Sequence, residues 1–100
     1  MNRFGLSDQD LAQILRIIFQ HKNVTSVKIF GSRAMGNFKK GSDIDIAMFG
    51  TADLKTLSQI KFALEEQTVL PYFFDVVLYD TIESVEFRKH IEDFGVELTP

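Results

Sequence analysis

The chain has no cysteine and no tryptophan, and only two of its 100 residues are proline. Without cysteine there is no disulfide framework and no thiolate metal site, which fits a reducing compartment. No run of apolar residues approaches the roughly 20 needed to span a bilayer, and the first residues carry no apolar, signal-like stretch. The expectation is a cytoplasmic protein with no membrane segment. A basic face is missing as well. Eleven Lys and Arg stand against fourteen Asp and Glu, a net charge of −3, which argues against general nucleic-acid binding. A composition 45% hydrophobic and 25% charged, with ten phenylalanines, is that of a globular chain with a phenyl-rich core. At this length the expectation is one domain, residues 1–100, with one modest core and little room for anything else.

The order of elements follows from periodicity. Residues 1–6 read as a loose arm. Ser7 reads as an N-cap with Asp10 three residues on and Leu6 and Leu11 at the staple positions. Leu11, Ile14, Leu15, Ile18 and Phe19 recur at helical spacing, with Ile17 off the stripe as a candidate surface contact. His21-Lys22-Asn23 closes this helix. Val24–Phe30 reads as a buried strand, residues 31–36 as a turn and short helix, 37–41 as a loop, and 42–49 as a second strand. A third helix follows Asp53, its face marked by Leu54, Leu57, Ile60, Lys61 and Leu64. Tyr72–Tyr79 reads as a third strand, and Asp80-Thr81 opens a fourth helix that ends at Gly95. Val96 and Leu98 form an apolar tail that packs back. The sum is an α+β domain, a small mixed sheet with helices on one face.

Chemistry concentrates in two stretches. Ile29-Phe30-Gly31-Ser32-Arg33-Ala34-Met35-Gly36 runs from a strand into a helix start, where free backbone N–H groups and a hydroxyl suit a phosphate. In Ser42-Asp43-Ile44-Asp45-Ile46, strand alternation puts Asp43 and Asp45 on one face, Cα atoms roughly 6–7 Å apart. Two parallel carboxylates repel unless a cation lies between them or one holds a proton. Mg²⁺ suits such a pair together with substrate phosphates. A phosphate cradle followed by metal-binding aspartates points to phosphoryl or nucleotidyl transfer. Asp75 lies alone in Tyr72-Phe73-Phe74-Asp75-Val76-Val77-Leu78. It either faces water from an edge strand, is held by Arg33 or Lys61, or converges on Asp43 and Asp45 as a third carboxylate.

Gly31-Ser32-Arg33-Ala34-Met35-Gly36 with Ser42-Asp43-Ile44-Asp45-Ile46 resembles the Gly-Ser…Asp-x-Asp signature of the DNA polymerase β-type nucleotidyltransferases, above all their minimal domains. The resemblance covers nearly the whole chain. It implies the nucleotidyltransferase fold and a Mg²⁺-dependent reaction, with two ions held by Asp43 and Asp45. Asp75 would share the catalytic ion and help activate the acceptor. Gly31 and Ser32 would hold the β and γ phosphates of a nucleoside triphosphate. Arg33 either joins them or braces Asp75. Met35 departs from the pattern, because minimal domains often carry a second arginine there.

Minimal domains of this kind often pair with a HEPN-type helical protein encoded alongside, and can act as antitoxin by adenylylating it. The implied function is transfer of AMP from ATP to such a partner, with that chain or a homo-oligomer completing the site. Two alternatives stand beside it: a catalytically weak or inactive nucleotide-binding module that neutralises its partner by binding, and a small-molecule, antibiotic-type nucleotidyltransferase. Lys39 and Lys40 either draw in the triphosphate or form a solvated loop. His21 and His90 each lack a partner at ligand spacing and read as ordinary residues. Asp80 reads as a helix cap.

Overall fold

In the computed structural model, residues 4–99 are described. The elements run α1 (Asp8–Phe19), β1 (Val24–Phe30), α2 (Gly31–Met35), β2 (Ile44–Gly50), α3 (Leu54–Glu66), β3 (Phe74–Leu78), a 3-10 turn at Tyr79–Thr81, α4 (Val85–Phe94) and β4 (Val96–Leu98). The four strands form one mixed sheet in the order β3-β2-β1-β4. β1 is antiparallel to both β2 and β4, whereas β2 and β3 are parallel. A parallel pair cannot close through a hairpin, so α3 returns the chain to the same end of the sheet.

Strand alternation divides the sheet into two faces. Val27, Ile29, Ile44, Ile46, Met48, Phe74, Val76 and Leu78 point to one side, where Ile14, Leu15 and Ile18 of α1 and Ile60 and Leu64 of α3 cover them. Phe30 and Ala47 point to the other side and pack on Ile91 of α4, with Phe49, Val77 and Phe87 around them. Helices therefore flank both faces rather than one. The expected apolar tail is a true strand, with Val96 and Leu98 paired to Ile29 and Val27. No helix among the described residues is long and apolar enough to cross a membrane.

Several local expectations need correction. Residues 1–3 of the supposed loose arm lie outside the described residues, but Phe4 and Leu6 are buried in the main core. Ile17 packs against that core as a half-buried residue, because α1 presents a wider apolar stripe than its strict helical spacing suggests. On α3, Leu54 is exposed and Thr56 takes the buried place, its hydroxyl donating to Asp53 and accepting from the Asn23 side chain. β3 is shorter than the apolar run, although the Phe73 carbonyl still accepts from Ile44 N–H.

The fourth helix does not open at Asp80. Residues 79–81 make a 3-10 turn, the chain extends, and Ser84 caps α4 by accepting from Phe87 N–H at 3.1 Å. A serine followed by three residues of helix competes with an aspartate at the wrong distance, and the serine wins. Ser84→Ala is expected to cost about 1 kcal/mol, a fall of roughly 4–8 °C in Tm, in a thermal melt. Asp80→Ala should move the melt by less than roughly half of that.

Candidate active site

β2 is the centre of the site. Asp45 is paired across the sheet with Phe30 of β1 on one side and with Asp75 of β3 on the other. Paired residues of adjacent strands project to the same face, so Phe30, Asp45 and Asp75 form one row on the face that α4 partly covers. Asp43 lies just before β2 and is exposed, as is Asp75. Asp75 is exposed on β3, an edge strand, so it faces water as one of the sequence alternatives had it, and the register also stands it beside Asp45. Neither cation suggested as its holder does that work. Lys61 is exposed on α3, and Arg33 is spent elsewhere.

The electrostatics follow from this crowding. Burial pushes the Asp45 carboxyl up to about 6, and the neighbouring charges of Asp75 and then Asp43 add to the rise. His90 and Arg33 oppose it. Negative charge is therefore concentrated beyond what the surrounding side chains neutralise, which is the condition a divalent cation relieves. Among the described residues no group of three or more His, Cys, Asp and Glu side chains is placed so that it could hold a metal ion.

Gly31 sits directly against this row. Its φ of +72° is open to glycine at little cost, and a Cβ there would overlap the Asp45 carboxylate. The same residue begins α2, whose first N–H groups have no partner within the helix. Gly31 is thus required twice, once for the turn and once for the close approach of backbone to Asp45. Ser32 follows in the first turn, half-buried.

Arg33 is placed otherwise than a phosphate ligand would be. It is only 2% exposed. Its Nε and Nη2 both donate to the Ser42 carbonyl, at 3.1 and 2.9 Å, and Nη1 donates to the Phe4 carbonyl at 2.9 Å. The guanidinium lies 5.3 Å from the Phe38 ring centroid and 5.1 Å from that of Tyr72. It ties the 37–43 loop to the N-terminal segment, and so fixes the approach to Asp43. Its charge still reaches Asp45, but its donors are committed.

Lys39 and Lys40 are exposed and border a cavity of about 670 Å³ beside Phe38 and Tyr72. None of the three aspartates lines it, so this cavity is separate from the carboxylate row. Met35 is half exposed at the end of α2 and brings no charge.

His90, read from the sequence as an ordinary residue, lies close to this row. His90 packs edge-on against Phe30, ring centroids 6.2 Å apart, and lies 5.5 Å from Phe94. Since Phe30 is paired with Asp45, this brings an imidazole near enough for its charge to act on Asp45. The signal was present in the spacing. Phe87, His90, Ile91 and Phe94 share one helical face, and His90 is the polar member of an apolar stripe.

Comparison with known proteins bears on the family and the fold. The profile of the family described as Polymerase beta, Nucleotidyltransferase matches residues 12–99. A solved toxin–antitoxin structure with AMP-PNP superposes with a TM-score of 0.72 at 22% identity, covering 94% of this chain and 73% of that one. A mutant of the toxin–antitoxin MntA–HpeT gives 0.71 at 20% identity, with the same coverage of 94% and 73%. At such identities the likeness is one of fold. Among curated proteins no sequence matches this chain.

Proposed function

Because the chain belongs to the polymerase β-type nucleotidyltransferase family, we propose that it transfers a nucleoside monophosphate, AMP from ATP, to a hydroxyl of a partner protein. The observation that supports this best is the pairing of Asp45 with Asp75 beside Asp43, immediately against Gly31 at the start of α2. The acceptor we favour is a HEPN-type toxin, with this chain as antitoxin. The toxin–antitoxin assemblies that share its fold support that choice.

In this reading the acceptor oxygen attacks the α-phosphorus, an O–P bond forms, and the bond from the α-phosphorus to the bridging oxygen breaks, releasing pyrophosphate. Mg²⁺ held by Asp43, Asp45 and Asp75 would neutralise the phosphate charge. The excess negative charge that lifts Asp45 fits such an ion. Asp75, the more exposed of the paired carboxylates, receives the acceptor's proton. Gly31 and Ser32 hold the phosphate tail through backbone N–H groups and the hydroxyl. Catalysis is then positional and electrostatic, with no covalent enzyme intermediate.

The test uses ATP labelled at the α-phosphate, with Mg²⁺, the purified protein and a lysate of its host. The Asp43→Asn/Asp45→Asn double variant is run in parallel. Label on one small protein with the wild type alone is the expected result, and it identifies the acceptor. Absence of transfer, with both forms still capturing the same protein, would replace the enzyme by a module that masks its partner. Label on a small molecule instead would indicate the antibiotic-type reaction.

A further inference from the structure

The proposed site has little positive charge of its own. Gly31 and Ser32 offer dipoles, Met35 is neutral, and the donors of Arg33 are committed to the carbonyls of Ser42 and Phe4. A triphosphate placed against three carboxylates would gain from a further donor on the protein side. His90 is the other basic group whose charge acts on Asp45.

Its placement is specific. The ring stands nearly perpendicular to Phe30, at 84°, and tilted by 45° against Phe94, so two aromatic contacts fix its plane. Phe30 is the residue that caps α2, directly before Gly31, and is paired with Asp45. The imidazole therefore lies next to both the helix start and the carboxylate row. His90 is half-buried, and neither ring nitrogen makes a hydrogen bond to another described residue. An imidazole that is oriented but unpartnered, on an otherwise apolar helix stripe, is a group poised for a ligand.

We propose that His90 is a nucleotide-binding residue, donating a ring N–H to the β or γ phosphate of the triphosphate alongside Gly31 and Ser32. The assignment rests on the nucleotidyltransferase reading above and adds to it a donor from α4. In this arrangement α4 closes over the phosphate tail, while the α-phosphorus faces Asp45 and Asp75. His90 thereby distinguishes a triphosphate from a monophosphate.

The test compares two nucleotides with and without that tail. Binding of α,β-methylene-ATP, whose α–β bridge cannot be cleaved, and of AMP is measured by calorimetry in Mg²⁺. The proteins are wild type, His90→Phe and His90→Gln. His90→Phe keeps a ring of similar size against Phe30 and Phe94 and removes both nitrogens. It should weaken the triphosphate analogue by about tenfold or more, the scale of one hydrogen bond to a charged group. AMP should change by less than about twofold, and His90→Gln, which keeps an N–H donor, should recover part of the loss. Equal effects on both nucleotides, or none on the analogue, would remove His90 from the phosphate tail while leaving the nucleotidyltransferase reading intact. A wild type that binds neither nucleotide would overturn that reading and this assignment together. If His90→Phe lowers the melting temperature by more than a few degrees, His90→Ala and His90→Gln read the same ratio.

Discussion

Arg33→Ala is expected to lower the unfolding free energy by about 3–4 kcal/mol, the largest loss any single truncation near the site should give. The side chain is 2% exposed and serves two backbone carbonyls through three donors. Alanine would leave the Ser42 and Phe4 carbonyls without those donors, and a buried polar group left unpaired costs about 1–3 kcal/mol. The cation's contacts with Phe38 and Tyr72 would go as well. A domain of this size has only about 5–15 kcal/mol in hand, so the loss would show as a fall of roughly 15 °C or more in Tm.

Arg33→Lys separates bracing from ligand binding. An ammonium keeps the charge but cannot span two carbonyls in the planar fork that guanidinium provides. It should recover less than about half of the lost stability. If Arg33 instead served a phosphate, lysine would leave the urea midpoint unchanged and raise the KM for ATP. An unfolding free energy within about 0.5 kcal/mol of wild type for Arg33→Ala would sink the bracing role altogether.

Arg33 also shows where the sequence stops speaking. Its place after Gly31-Ser32 is visible in the chain, and adjacency to a phosphate cradle suggests a phosphate. What decides its role is Phe4, 29 positions away, whose carbonyl offers a buried acceptor. Phe4 itself looked like part of an arm, because one aromatic before a helix cap has no periodicity to place it. Asp75 is the opposite case. An aspartate alternating with Phe74 and Val76 on a strand has to leave the core, and parallel pairing with β2 then sets it beside Asp45. The pattern within each strand was legible, whereas the register between them was not.

The same distinction explains β4, α4 and His90. Val96 and Leu98 alternate, but nothing in three residues names β1 as their partner. Asp80 and Ser84 are both good caps by type, and only the extended stretch between them shows which one starts the helix. His90 is 45 positions from Asp45, and it becomes informative only once α4 is known to lie across the second face of the sheet. Local chemistry could be read from the chain, and long-range company could not.

Asp45→Asn should remove activity and, at neutral to alkaline pH, raise stability. The folded protein lifts the Asp45 carboxyl from 3.8 to about 6, through burial and then the charges of Asp75 and Asp43. The folded state thus holds this proton more tightly than the unfolded chain does. Its contribution to stability is full below about pH 3.8, and is lost as the pH rises through 6. Above that, the native state carries an ionised carboxylate in a place that disfavours it. A shift of two units corresponds to roughly 3 kcal/mol, which solvent screening of a half-exposed group reduces to about 1–2 kcal/mol. Asparagine cannot ionise, so the variant should exceed wild type by that amount at pH 8 and converge with it near pH 4. Transfer activity should fall at least about a thousandfold, since the mechanism proposed above relies on this carboxylate at the reacting phosphate. Mg²⁺ should raise the melting temperature of wild type at pH 8 by relieving the same repulsion, and should do little for the variant. A group retained for structure would show the reverse order, with the variant less stable at pH 8 and indifferent to Mg²⁺. Stability gained where activity is lost is the mark of a carboxylate kept for its chemistry.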